Sequence, residues 1–323
     1  MRTPLCDLLG TEFPIIQAGM GSFTSAELVA AVSNAGGLGS LGASARSIAS
    51  LKEELARVRE LTERPFAVNH TVRYLNKEVF AVTLEAKPAL ISFAIDSPGE
   101  LVQQAHDAGI RVMLQVPTAA AAREAVSLGV DVIVAQGAEA GGGFGGLVAT
   151  LALLPQVVDI AGSTPVVAAG GIADGRGLAA ALTLGAQGIS IGTRFLASVE
   201  CPINSQWKRD IVAAQSEDTL KFEPWNDIFP APADGYHVIP RVLSSSFVKE
   251  WMNRRDDARR ESERLQEQIG TAIERGTWGE LLPFTGQTAG FIHEVLPAGE
   301  IVRRIMAEAS ESLKAATKLF TKQ

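Results

Sequence analysis

Short apolar runs alternate with segments of helical spacing through the first 200 residues of the chain. The runs at 14–18, 37–42, 66–70, 89–95, 111–116, 130–136, 165–169 and 188–192 read as strands. Most are apolar on both faces, as in strands buried within a parallel sheet, rather than alternating as in half-exposed antiparallel ones. Between them lie 24–35, 44–61, 76–86, 97–108, 118–128, 147–160 and 174–184, which have helical spacing and starts that can cap a helix. Strict alternation predicts a parallel α/β sheet, and eight units predict closure into a (β/α)8 TIM barrel. An open doubly wound sheet is the alternative.

The pattern changes after Phe195. Residues 200–288 carry all four Trp, a Pro-rich stretch beginning at Phe229 and a charged helix-like run at 249–268. They interrupt the place where an eighth helix should follow the eighth strand, and helical spacing resumes at 297–313. The segment 200–288 therefore reads as a largely helical insertion, with 1–199 and 289–323 forming the barrel. The charged run reads as a solvated helix face stitched by pairs three and four residues apart. On the side of the strand C-termini, the insertion is a candidate lid.

Composition narrows the class of function. The chain has 323 residues, 46% hydrophobic and 20% charged, enough for one barrel with an appendage. A net charge of -7 argues against a nucleic-acid or anionic-membrane surface, which leaves a small-molecule enzyme as the favoured class. Cys6 and Cys201 form neither a disulfide framework nor a metal-ligand spacing and read as packed apolar residues. The first residues lack the apolar core of a signal peptide, and no run approaches the roughly 20 apolar residues that span a bilayer. A cytoplasmic enzyme is expected.

The chemistry-bearing positions follow from the barrel. In this architecture the active site lies at the strand C-termini, and the loops after strands seven and eight commonly hold phosphate. Those two loops read Ala-Ala-Gly-Gly-Ile at 168–172 and Ile-Gly-Thr-Arg-Phe at 191–195. Gly170 and Gly171 let backbone N–H groups approach closely, while Gly192 and Thr193 offer an amide and a hydroxyl. The segment Gly37-Leu-Gly-Ser-Leu-Gly42 fits G-x-G-x-x-G, but it follows a helical stretch and is itself strand-like, so it is not a dinucleotide fingerprint. After the sixth strand, Gln136-Gly-Ala-Glu-Ala-Gly-Gly-Gly-Phe-Gly-Gly146 has few side chains to fill space. A flat ring can lie against such a backbone.

In combination these segments resemble the nitronate monooxygenase family, formerly the 2-nitropropane dioxygenases. The resemblance rests on Pro-Ile-Ile-Gln-Ala-Gly-Met at 14–20, Ser-Asn-Ala-Gly-Gly-Leu-Gly at 33–39, Phe-Ala-Val-Asn at 66–69 and Gln-Gly-Ala-Glu-Ala-Gly-Gly at 136–142. It continues through the two phosphate loops, Gly286-Gln-Thr-Ala-Gly290 and 297–305. Related FMN barrels, including flavin-type enoyl reductases and NADH:quinone reductases, share much of this pattern.

The resemblance implies FMN as cofactor. Ala18, Gly19 and Met20 would line its ring by backbone; Asn69 and Gln115 would bond its polar edge or ribityl chain. Gly141 and Gly142 would lie near the ring, Gln136 and Gly137 of the same loop would also bind the cofactor, and Gly170, Gly171, Gly192 and Thr193 would take the phosphate. The implied reaction oxidises a nitronate with O2 to a carbonyl compound and nitrite, without nicotinamide. Many family members place a His base directly after Glu-Ala-Gly-Gly, where this chain has Gly143. Glycine abstracts no proton, so nitronates, already deprotonated at carbon, are the expected substrates and neutral nitroalkanes poor ones.

His70, at the end of the third strand, is the candidate replacement base or substrate-orienting group. Glu139 is a weaker acid/base candidate and more simply a tie for the glycine loop. His106 reads as solvated, while His237 and His293 lie around the insertion and can approach the mouth of the site. The four His show no metal-ligand spacing, and no metal is expected. Two further readings stand beside the nitronate oxidase: an FMN-dependent NAD(P)H reductase with a quinone or enoyl-thioester acceptor, and a flavin-binding or phosphate-ligand-binding protein without catalysis. A homodimer is possible.

Overall fold

The structure, a computed structural model, describes residues 1–143, 146–231 and 238–320. Its eight central strands are β1 (Ile15–Gln17), β2 (Gly39–Gly42), β3 (Phe66–Thr71), β4 (Leu90–Ala94), β5 (Arg111–Val116), β6 (Val132–Gln136), β7 (Val166–Ala169) and β8 (Gly188–Ile191). They lie in the order β1-β8-β7-β6-β5-β4-β3-β2, every ladder parallel. A parallel bridge between Ile16 and Leu38 joins the two ends of the sheet. There Gln17 N donates to Leu38 O at 2.9 Å and Leu38 N to Ile15 O at 2.8 Å. The sheet is thus a closed (β/α)8 barrel and not the open alternative.

The strands are as apolar as the sequence pattern requires because each is covered twice. Inside, Ile16, Leu38, Ala67, Leu90, Met113, Val132 and Val167 fill the barrel. The bottom of that core is closed by α1 (Pro4–Leu9), whose Leu5 and Leu9 join the same cluster. This short helix carries no periodic signal of its own and was not expected. Outside lie α2 (Ala26–Asn34), α3 (Ile48–Leu61), α4 (Lys77–Ala86), α5 (Leu101–Asp107), α6 (Ala119–Ser127), α7 (Thr150–Ala161) and α8 (Gly175–Thr183). Ser25, Ser47, Asn76, Thr118 and Asp174 cap five of them with side-chain oxygens, satisfying otherwise orphaned N–H groups.

Three helices start later than their spacing suggests. Before α3, Ala45 adopts φ +64°, which ends helical continuity and leaves 44–47 as loop. Before α5, Pro98 and Gly99 (φ +48°) form a turn. The third, α7, begins at Thr150 rather than 147.

After β8 come α9 (Thr193–Leu196), α10 (Ser205–Ala213), β9 (Thr219–Lys221), α11 (Trp225–Ile228) and β10 (Arg241–Leu243). They are followed by α12 (Ser246–Trp251), α13 (Arg255–Arg260), α14 (Ser262–Glu274), α15 (Trp278–Leu281) and α16 (Ala298–Phe320). The last packs against α8 and α2, so α16 takes the place of the eighth barrel helix. The charged run is not one helix but parts of three. Its pairs are nonetheless spaced as expected: Arg254 with Glu250 and Asp257, Arg260 with Asp257, Arg264 with Glu261. Arg255 and Arg259 instead reach across to Asp227, each at 2.6 Å. Leu265 and Ile269 of α14 are buried, in the same apolar cluster as barrel residues such as Ile133 and Ile189. The segment and the barrel therefore share one core.

Candidate active site

A cavity of about 760 Å³ opens at the C-terminal ends of the strands, within the range of roughly 300–1,000 Å³ usual for small-molecule and cofactor sites. Ala18, Gly19, Met20, Asn69, Gln115, Gln136, Gly141, Gly142, Gly170, Gly171, Gly192 and Thr193 all line it, as do Glu139 and Gly143. These residues come from β1, β3, β5, β6, β7 and β8 or the loops after them, because every parallel strand delivers its C-terminus to the same rim.

The polar floor is fixed by local bonds. Asn69 donates from Nδ2 to Ser92 Oγ at 2.8 Å and to Ser92 O at 3.2 Å. Gly19 lies directly against it: a Cβ there would sit 2.1 Å from Asn69 Cβ. On the opposite side Gly170 and Gly171 have φ of +91° and +71°, a left-handed pair that turns the backbone after β7 toward the cavity. A Cβ at Gly192 would project toward Met20 and Ala18, both lining the cavity, so a side chain would take space left for a bound group. The residues present therefore fit a flat, phosphate-bearing cofactor.

The glycine loop is held from three directions. Glu139 accepts hydrogen bonds from Thr150 N (3.0 Å) and Thr150 Oγ1 (3.0 Å), acting as a remote cap for α7, whose own N-cap Ala149 has no side-chain acceptor. Glu139 O accepts from Gln287 N at 3.0 Å. Gly286 N donates to Thr193 Oγ1 at 2.9 Å, tying the end of the inserted segment to the β8 loop. Arg241, buried in β10, donates to Ala138 O and Thr219 O, while its backbone N donates to Gly142 O at 3.2 Å. Burial pushes its guanidinium below the usual range. Lys221 donates to Gly146 O at 2.9 Å, and burial, then the Arg241 charge, push its amine down to about 8.

Two expected site residues lie elsewhere. His70 does not line the cavity. Its ring sits on the outer face of β3, 2% exposed, edge-on to Phe80 at 5.4 Å. Its Nε2 lies 2.9 Å from Thr83 Oγ1, and that hydroxyl donates to Val79 O, so the imidazole is the donor of the pair. Burial pushes the His70 pKa down to about 4, which keeps it neutral. The physical reason is strand alternation: Asn69 points into the barrel, so the next side chain must point out. Gly137 is likewise behind the cavity wall. A Cβ there would meet Thr150 Oγ1 at 2.1 Å, so it serves close packing against α7.

The other histidines stand apart too. His106 pairs with Asp131 at 2.9 Å on the barrel exterior, and His293 is exposed and away from the cavity lining. His237 lies outside the described residues. Among the described residues no group of three or more His, Cys, Asp or Glu can hold a metal ion, and no helix is long and apolar enough to cross a membrane.

Aromatic and apolar residues of the 200–288 segment are expected from the sequence to shape the cavity, but not which way they face. Phe23, Trp207, Trp225, Phe229, Trp278 and Phe284 line the cavity, and Val238 and Ile95 face Gly143, at 3.3 and 3.4 Å from where its Cβ would be. Tryptophans in the 200–288 segment were countable, but their common facing is a tertiary property. Arg241 carried no motif at all.

Comparison with known proteins accords with this geometry. The chain is 39% identical over 228 residues to a (3aS,4S,5R,7aS)-5-hydroxy-7a-methyl-1-oxo-octahydro-1H-indene-4-carboxyl-CoA dehydrogenase of Rhodococcus jostii, a match covering 68% of this chain. It spans only 62% of that relative's length. It is 33% identical to a probable nitronate monooxygenase of Staphylococcus saprophyticus, across 96% of this chain and 98% of that one. The structure of FabK from Thermotoga maritima superposes with a TM-score of 0.89 at 32% identity, covering 99% of both chains. The family model described as nitronate monooxygenase matches residues 2–80 and 70–308. With that match across nearly the whole barrel and the segment after β8, the chain belongs to the nitronate monooxygenase family.

Proposed function

We propose that the protein binds FMN and oxidises alkyl nitronates with O2 to a carbonyl compound and nitrite, acting poorly on neutral nitroalkanes. Gly170, Gly171, Gly192 and Thr193 would hold the phosphate, Asn69, Gln115 and Gln136 the polar edge or ribityl chain, and Ala18, Gly19, Met20, Gly141 and Gly142 the ring. The bound flavin supplies the electron acceptor. The chain's own residues orient substrate against it and exclude water, with 200–288 as the roofing unit over a barrel of 1–199 and 289–323.

One observation carries the substrate preference: where a base would stand, Gly143 faces Val238 and Ile95. No histidine among the described residues lines the cavity. Glu139, the nearest carboxylate in the glycine loop, is committed to Thr150. A substrate that still needs its carbon proton removed finds, among the described residues, neither a lining imidazole nor an uncommitted carboxylate in the glycine loop, whereas a nitronate needs none.

The test compares nitrite release from a preformed nitronate and from the neutral nitroalkane, at a pH where the two do not interconvert during the assay. The expected result is a preference of about 100-fold or more for the nitronate, the usual scale of general-base catalysis. Equal turnover of both forms overturns the proposal.

A second reading, an FMN-dependent NAD(P)H reductase with a quinone or enoyl-thioester acceptor, is supported by the similarity to FabK and to the CoA-thioester dehydrogenase of Rhodococcus jostii. Rapid anaerobic bleaching of the bound flavin by NADH or NADPH, with none by nitronate, would establish it over the first.

A further inference from the structure

The cavity wall changes chemistry from inside to outside. The inner part is glycine backbone and amide side chains. The outer part is aromatic: Phe23 meets Trp207 edge-on at 5.1 Å between ring centroids, Trp278 meets Phe284 at 4.9 Å, and Trp225 meets Phe229 at 4.5 Å. Trp278 lies 6.2 Å from both Phe23 and Trp225, so the three pairs form one continuous surface. All six rings line the same cavity as the glycine loops.

The surface is preformed. Trp207, Trp225 and Trp278 are 2%, 7% and 6% exposed, so their rings are held within the packed wall. Five of the six rings come from the segment between β8 and α16, and only Phe23 from the barrel. Water against such ring faces gains few hydrogen bonds, so the wall favours whatever apolar group displaces it. A nitronate of two or three carbons held at the glycine loops would leave this wall without an apolar partner.

We propose that the physiological substrate carries a bulky apolar group, a chain of about six or more carbons or a ring system of similar area, seated on the Trp225–Trp278–Phe284 surface. This rests on the reading of the cavity as the site of oxidation. The aromatic surface sets specificity by contact area, and the reacting carbon is placed by the length of the group behind it.

The experiment uses the flavin-loaded protein and the preformed nitronates of nitroethane, nitrobutane, nitrohexane and nitrooctane. The expected result is a rise in kcat/KM of up to about 4-fold per added methylene, levelling once the wall is covered. Phe229→Ala, at a half-buried position, lowers the ratio of the nitrohexane to the nitroethane value. In parallel, quenching of tryptophan fluorescence and thermal stabilisation by the neutral nitroalkanes report binding without turnover, and both rise along the same series. Turnover with kcat/KM independent of length overturns the inference and leaves the nitronate reading standing. Length-dependent binding with no turnover of any nitronate supports the inference and overturns that reading. Binding and turnover both flat with length overturn the inference.

Discussion

Arg241 is bound to the carbonyl oxygen of Ala138 through two nitrogens, Nε at 3.2 Å and Nη2 at 3.1 Å, while its Nη1 reaches Thr219 O at 3.0 Å. One buried guanidinium thus joins the inserted segment to the loop after β6. Planar, many-donor geometry suits it to bridge two carbonyls, which a lysine amine does less well.

Arg241→Met is expected to strand both carbonyls without a buried donor, at about 1–3 kcal/mol each. The loop that carries Gly141 and Gly142 loosens, and FMN affinity drops by about 10-fold or more. Arg241→Lys retains the charge and falls between. Flavin titration by fluorescence, with a urea unfolding curve for each variant, checks this; unchanged flavin affinity in Arg241→Met would show that the tie does not organise the site.

His70 gives a pH prediction with a defined sign. Its pKa is about 4 folded and about 6.5 unfolded, so between those values the unfolded chain binds more protons. The stabilisation is fully present above about 6.5 and is lost as pH falls toward 4, amounting to about 3 kcal/mol at most. His70→Gln removes this titration and is expected to flatten the loss of stability in that window. Because the ring faces away from the cavity, kcat/KM at neutral pH should stay within about 3-fold of the parent. A folded His70→Gln protein with activity lost would return His70 to catalysis.

Gly143→His tests the missing base directly. A Cβ at 143 would be 3.3 Å from Val238 Cγ1 and 3.4 Å from Ile95 Cδ1, both flexible side-chain ends that can give slightly. The variant is expected to raise turnover of neutral nitroalkane relative to nitronate by about 10-fold or more, with a new acidic limb in its pH profile as the imidazole protonates. No change in that ratio, with flavin still bound, would show that a base at 143 cannot reach the substrate.

Gly19→Ala addresses the floor of the site. The added methyl would collide with Asn69 Cβ and Cγ, at 2.1 and 2.7 Å, and dislodge the Asn69–Ser92 pair. Overpacking of this kind costs about 1–3 kcal/mol. The variant should show a lower melting temperature and substoichiometric flavin by its absorbance ratio; full flavin content at an unchanged melting temperature would contradict the tight contact.

The sequence determined the barrel. Strands such as β6 and β7 are apolar on both faces because they are buried on both, and Ser25, Asn76, Thr118 and Asp174 mark helix starts through local bonds to the next few N–H groups. Glycine at 141, 142, 170 and 171 was legible for a similar reason, since close backbone approach needs the absence of a side chain. Alternation along β3 also held the correction for His70: its neighbour Asn69 could point inward only if His70 pointed out. What only the tertiary structure decided involves residues far apart in the chain. That Arg241 meets Ala138, that Gly286 meets Thr193, that Leu5 plugs the barrel and that rings from Phe23 to Phe284 share one wall depends on how the segment after β8 folds back over the strand ends. No local periodicity encodes such contacts, because they arise from the packing of separate elements into a common core.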